Sequence, residues 1–429
     1  MTTQFTKQPG DTTEIENGGV ENSGVENGGF GTTPRAETVS PSAAAPSTPS
    51  TEVPRRPRIT GSPWWRWGRG VFAALLLLVM VGQWLVGGAS QLLMFSPVIV
   101  LVATVVQRVV AKIQGQLVGF APDPFDRANR PYVVQFVIRG VLAALVAVAI
   151  PITVPRFALT DTEYVGLLAL AIVPALLFAA LQLIPARTVS RALNLVAIVA
   201  AAFLAFQLVQ VHFRSGLDDA VELVAPFEDG EWTVTSGGKS TLVSHHYALA
   251  YPQQKYALDF VVLRDGRVHE GDADDPASYY AWNEPLLAPA DGVVVEVEDG
   301  LRDWPVGQRE ADVEKATGNY VTIDIGDGQY VVLAHVRQGT VTVAAGDRVT
   351  VGQVIGRVGN SGNTGMPHLH LQVQDSPDIA SDMFSDVGSY PMSFSNITQI
   401  RGGTEYEEQH DLLRRDDIMR VDDRSLGGG

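Results

Sequence analysis

From Val71 to Gln107 the chain carries no charged residue, and a run of that length is far too apolar for the surface of an ordinary globular domain. A membrane-spanning helix needs about 20 apolar residues. The run is therefore sized for two short helices, with Gly87-Gly88 near the turn between them. Three further apolar segments follow, roughly Tyr132–Val154, Tyr164–Ile184 and Ala192–Val211. The first of these contains Arg139, whose charge is costly in lipid unless it snorkels or faces protein. Buried helices of a soluble domain are the bland alternative, and four or five such runs in close succession argue against it. The sequence thus predicts an α-helical multi-pass membrane region over residues 63–214, with about five transmembrane helices in contact with the lipid bilayer.

The basic residues orient that region. Arg55, Arg56, Arg58, Arg66 and Arg69 precede the first run, Arg108, Lys112, Arg127 and Arg130 follow the second, and Arg187 and Arg191 follow the fourth. The loop after the third has only Arg156, beside Asp161 and Glu163. Lys and Arg concentrate in cytoplasmic loops. Five spans from a cytoplasmic N-terminus satisfy that rule and place everything after Arg214 on the outer side of the cytoplasmic membrane.

Ahead of this region, residues 1–62 hold almost no large apolar side chains and repeat ENGGV, ENSGV, ENGGF from Glu16 onward. Such a stretch cannot bury enough apolar surface to offset its ordering entropy, so a disordered low-complexity tail is expected. It lacks the short apolar core of a secretory signal peptide. The net charge of −16 provides no basic footprint for nucleic acid. The absence of cysteine excludes disulfides and thiolate ligands, which leaves His, Asp and Glu as candidate metal donors.

After an acidic linker at 215–233 the pattern changes to brief alternating runs separated by glycine: GVVVEVEDG (292–300), NYVTIDIGDG (319–328), QYVVLAHV (329–336) and VTVAAGDRVTVGQVIGRVG (341–359). Regularly spaced short strands with Gly-Asp and Gly-Asn turns predict an all-β domain, placed at 234–400. A charged tail, 401–429, follows it, with a short helix expected at His410–Val421.

The informative strand is PHLHLQVQD at 367–375. Side chains alternate along a strand, so Leu369, Leu371 and Val373 share one face while His368, His370, Gln372 and Gln374 share the other. Two imidazoles at i and i+2 can serve one small site, as joint ligands or as ligand plus proton carrier. A solvated face that happens to hold histidine is the competing reading. In QKYALDFVVL (254–263), Asp259 stands among apolar neighbours, where a bare carboxylate is expensive and calls for a cation, strong donors or a salt bridge. His335 in VVLAHV is a third polar residue in an apolar strand. Taken alone it fits a satisfied core histidine as well as a functional one.

An ordered set of short motifs carries a family resemblance: APADG (288–292), GNYV (318–321), AHV (334–336), GDRV (346–349), GQVIG (352–356), GNSGN (359–363) and PHLH (367–370). Together they resemble the lysostaphin-type, or LytM-like, zinc endopeptidases. The resemblance covers about Val234–Ile400 and implies an antiparallel β fold of the duplicated hybrid, barrel-sandwich kind. It also implies one Zn²⁺ and hydrolysis of peptide bonds in cell-wall peptidoglycan. Carried over by motif, His370 and Asp259 would bind zinc, and His368 and His335 would activate water and stabilise the tetrahedral intermediate. The family pattern has His-x-x-x-Asp, but here Lys255 stands four residues before Asp259. The third ligand is therefore expected from the upstream pair, His246 first and His245 as fallback. An insertion at 264–283 is expected to reshape one groove wall. The alternative function is a degenerate relative that binds peptidoglycan or regulates another wall hydrolase. A lipoyl or biotinyl carrier domain would need an exposed hairpin lysine that is missing. No protein partner is indicated.

Overall fold

A computed structural model describes residues 130–153, 191–212, 217–379 and 383–421, together with isolated positions between 105 and 173. The tail expected at 1–62 lies outside the described residues, as do the apolar runs at 71–107 and 164–184 apart from Val105, Val106 and Val173.

The glycine-punctuated runs form strands in the expected places. In chain order they are β1 (Val221–Leu223), β2 (Gly230–Ser236), β3 (Leu258–Val262), β4 (Pro285–Leu287) and β5 (Gly292–Glu298). Next come β6 (Asn319–Gly326), β7 (Gln329–Val336), β8 (Arg348–Val349), β9 (Val354–Arg357) and β10 (Leu369–Gln374). The last are β11 (Ser389–Tyr390), β12 (Met392–Phe394), β13 (Ile397–Arg401), β14 (Thr404–Tyr406) and β15 (Ile418–Val421). One sheet runs in the order β14-β13-β15-β2-β3-β10-β7-β6-β5-β8, with β11 paired to the end of β10. Its ladders are antiparallel. Strands of this sheet lie beyond residues 234 and 400 on either side, and β15 occupies the stretch where a short helix was expected.

The register of β10 sets up everything that follows. On one side Leu369, His370 and Leu371 face Phe260, Asp259 and Leu258 of β3; on the other, His370 and Leu371 face Ala334 and Leu333 of β7. Leu369, Leu371 and Val373 are fully buried among Phe260, Leu333, Val331 and Ile323. Each such side chain contributes roughly 1.5–3 kcal/mol through burial. Phe227 stacks on Trp232 with ring centroids 3.6 Å apart and meets Phe260 edge-on. The polar face of β10 is buried too, so it is not a solvated strand face that happens to hold histidine.

The α-helical multi-pass membrane region requires correction. Among the described residues, two long helices occupy that region, α1 (Arg130–Thr153) and α2 (Arg191–His212), and no helix is long and apolar enough to cross a membrane. The apolar residues have an intramolecular use that hydropathy does not reveal. Ala149 of α1 and Leu204, Leu208 and Val211 of α2 form a small core with Leu242 and Val243 of the β region. Both helices also bury polar side chains, Gln135 and Arg139 on α1 and Asn194 and Gln207 on α2. Their other faces expose apolar side chains such as Val134, Phe136, Leu195 and Phe206.

Candidate metal centre

The β3–β10 register places His370 beside Asp259, and the Asp259 carboxylate is the centre of the site. Its Oδ1 lies 3.0 Å from His370 Nδ1, and its Oδ2 lies 2.9 Å from His246 Nε2. Each imidazole has a second partner on its far nitrogen. His370 Nε2 is 2.9 Å from Gln372 Oε1, and His246 Nδ1 is 3.3 Å from Gln254 Oε1. An amide oxygen only accepts, so those far nitrogens carry the hydrogens and donate. Lone pairs at His370 Nδ1 and His246 Nε2 then point at an anionic carboxylate. Two lone pairs against two carboxylate oxygens at 2.9–3.0 Å repel unless a cation or protons lie between them. The set of two imidazoles and one carboxylate, with cysteine absent, suits zinc, and three protein ligands leave a fourth position open.

The charge states agree with that demand. Burial favours the neutral acid at Asp259, but His246, His368 and His370 outweigh it and hold the carboxyl well below its ordinary range. Burial lowers His370, but with no cation between them the Asp259 charge favours a proton on the facing Nδ1, and the hydrogen bond so made raises the imidazole above its ordinary value.

His246 comes from a loop rather than a strand. The backbone turns at Ser240, whose carbonyl accepts from Val243 and Ser244 at 3.1 and 3.0 Å, and the His245 amide donates to Ser236 Oγ at 3.2 Å. His245, His246 and Asp259 form a group whose donor atoms all lie within 4.8 Å, able to hold a metal ion. Within it the two histidines differ. The His245 Nε2 is 3.6 Å from Asp259 Oδ2 with its side chain 54% exposed, whereas the His246 side chain is 8% exposed at 2.9 Å. Lys255 caps a short 3₁₀ turn, Pro252–Gln254, and its Nζ stands 5.4 and 5.1 Å from the rings of Tyr247 and Tyr256.

His335 and His368 complete the cluster, with ring centroids 4.7 Å apart. His335 sits near the end of β7 at φ +60°, a conformation uncommon for a side-chain-bearing residue. Its Nδ1 donates to Ser361 O at 2.8 Å. Ser361 is held by the Asn319 amide, which donates to its Oγ, and by Val336 O, which accepts from it. This explains GNYV and GNSGN: a Cβ on Gly318 would lie 2.4 Å from Ser361 O, so only glycine lets the two loops meet. His368 Nδ1 donates to Met366 O at 2.8 Å and contacts Thr364 Oγ1 at 3.0 Å, and its Nε2 is 3.7 Å from Asp259 Oδ1. With Nδ1 hydrogens committed to carbonyls, both residues present Nε2 lone pairs. Burial lowers His335 well below the ordinary imidazole range and also lowers His368, which keeps both neutral.

All five residues singled out from the sequence meet in one cluster, with His245 at its edge. Sequence reasoning missed the supporting partners Gln254, Ser361, Thr364 and Arg415. Of these, Gln254 carried a signal as the first residue of the QKYALD stretch, and Ser361 as the centre of GNSGN.

Among solved structures, the chain is similar to the catalytic domain of the antimicrobial peptidase lysostaphin from Staphylococcus simulans, at 23% identity, 29% of this chain and 70% of that chain, with a TM-score of 0.20. It is also similar to a prophage-encoded M23 protein, EnpA, from Enterococcus faecalis, at 18% identity, 39% and 93% coverage, and a TM-score of 0.23. A zinc containing peptidase from Vibrio cholerae matches at 18% identity, 38% of this chain and 37% of that chain, with a TM-score of 0.22. Residues 278–380 match Peptidase family M23, a span that includes His335, His368 and His370 and begins after His246 and Asp259. The β domain is thus similar to peptidase family M23 over that span.

Proposed function

We propose that the β domain is a zinc metalloendopeptidase that hydrolyses peptide bonds of cell-wall peptidoglycan and works on the outer side of the cytoplasmic membrane. The observation that carries this reading is the convergence of His246 and His370 on the two oxygens of Asp259, with His335 and His368 alongside. His246 Nε2, His370 Nδ1 and an Asp259 oxygen are the atoms that would hold zinc. When bound, zinc supplies Lewis acidity, polarising a carbonyl and bringing the pKa of a water to about 7.

The chain's own residues supply the proton handling. The neutral Nε2 of His368 or His335 accepts the proton that water loses as its oxygen attacks the scissile carbonyl carbon. The imidazolium so formed donates a hydrogen bond to the developing oxyanion. It then delivers the proton to the leaving nitrogen as the C–N bond breaks, giving a carboxylic acid and an amine. Backbone acceptors at Ser361 and Met366 keep each ring oriented throughout. Positioned proton transfer of this kind contributes about 10²–10⁴-fold.

The test uses the full chain and purified peptidoglycan. New amino termini and loss of cross-linked fragments, read by mass spectrometry, are expected, with activity abolished by chelation and restored by zinc. Binding to peptidoglycan with no new amino termini at full zinc occupancy would replace the enzyme by the binding-module alternative.

A further inference from the structure

The charged segment after Arg401 has no place in the chemistry above, yet it is built into the sheet and pressed against the loop that carries His246. Arg401 organises it: its guanidinium donates to both Asp417 oxygens at 2.8 and 2.7 Å and to Asp411 Oδ2 at 2.9 Å. Asp417 Oδ2 also accepts from the Arg414 amide at 3.0 Å. From this base the buried Arg415 reaches across, its Nε donating to Thr235 O at 3.0 Å and its Nη1 to Leu242 O at 3.2 Å. One guanidinium thus ties β2 to the loop that leads into His246. The loop and segment touch closely, since a Cβ on Gly237 would lie 3.1 Å from Leu413 O and one on Gly238 2.9 Å from Arg414 Cβ.

The loop is held from its other side by α2. Leu242 and Val243 pack against Leu208 and Val211, Gln207 Nε2 donates to Thr241 Oγ1, and Arg414 Nη1 donates to Val211 O. His370 and Asp259 need no such support, because strand register places them. His246 lies outside every strand, so its position depends on whatever holds residues 237–246.

We propose that Arg415 is a positioning residue for the metal: by gripping Leu242 O and Thr235 O it preorganises the loop so that His246 Nε2 faces Asp259 before zinc arrives. The proposal rests on His246 being a ligand, as read above. It gives the charged C-terminal segment a function, setting the affinity of a site that Arg415 does not itself ligate, although its charge reaches Asp259 and His245.

Zinc affinity of the full chain, measured by competition with a chromophoric chelator, tests this. Arg415→Met, which keeps length and loses the donors, should weaken zinc on the order of 10–100-fold, the usual range for supporting partners of a ligand. Arg415→Lys should recover part of the loss. In a His246→Ala background the same Arg415→Met change should add little, because the ligand it positions is gone. Unchanged affinity in Arg415→Met, with His246→Ala strongly weakened, overturns the proposal and leaves the site reading intact. Equal weakening by Arg415→Met in both backgrounds also overturns it, since that marks general loosening of the fold. Wild-type affinity in His246→Ala overturns the ligand assignment and the proposal together. Should Arg415→Met not fold, Thr241→Val removes the hydroxyl bonded to Gln207 and is read in the same two backgrounds.

Discussion

His370 and His246 approach the same carboxylate at nearly the same distance, from opposite kinds of backbone. His370 is the second residue of β10, paired with Asp259 on one side and Ala334 on the other, so two ladders must break before it moves. His246 stands on a loop held by a guanidinium, a small apolar contact with α2 and the Ser236 and Ser240 turns. The strand half is encoded locally and repeats a known motif. The loop half is held by Gln207 and Arg415, both distant in sequence from the Thr241 and Leu242 they bond. A site can therefore keep its strand ligands unchanged while its third ligand relocates, because the loop's supports can change without disturbing the sheet. On the proposed ligand set, Lys255 at the position of the family's histidine marks such a relocation.

The largest effect tests what both halves share. Asp259→Ala should abolish zinc binding and peptide hydrolysis together, by elemental analysis and product assay, since both imidazoles lose the group they face. His370→Ala should do the same, and retention of stoichiometric zinc in either variant would break the assignment at its centre. Next come the proton carriers. His368→Ala and His335→Ala should retain zinc while turnover falls about 10²–10⁴-fold. Zinc loss equal to that of His370→Ala would make them ligands instead.

The comparison itself is sharpened by the two orienting amides. Gln254→Met and Gln372→Met each remove the acceptor behind one ligand, a class of change worth about 10–100-fold in affinity. If register already fixes His370, the Gln372 change should sit at the low end and the Gln254 change at the high end. The reverse order would mean that the loop is as rigid as the strand. The smallest effect belongs to Lys255→Ala, which should leave zinc affinity unchanged and stability within about 0.5 kcal/mol. A marked gain in affinity would show that the ammonium repels the metal after all.

Much of the β region was legible because its signals are local. Alternation in VVLAHV and PHLHLQVQD assigned strands and faces, and an apolar row beside a polar one leaves a single register that buries both. The membrane reading failed for a physical reason: composition records that α1 and α2 are apolar, but not whether their apolar residues meet lipid or Leu242 and Val243. The helix expected at His410–Val421 failed likewise. Its charges suit an exposed helix, but in the fold Arg401 gathers Asp411 and Asp417 while Ile418–Val421 pairs with β2.

The sequence by itself determined the chemistry available at the site: no thiolate, one carboxylate in an apolar strand, two histidines at i and i+2 and a third in a neighbouring strand. Those follow from residue type and strand period, which are properties of short stretches. Only the tertiary structure decided which upstream histidine turns toward Asp259, where Lys255 points, and what holds the loop. Those outcomes depend on contacts spanning 34 residues between Gln207 and Thr241 and 173 between Leu242 and Arg415. No local pattern encodes such contacts, because they arise only when the fold brings the segment leading into β15 and the end of α2 to the same loop.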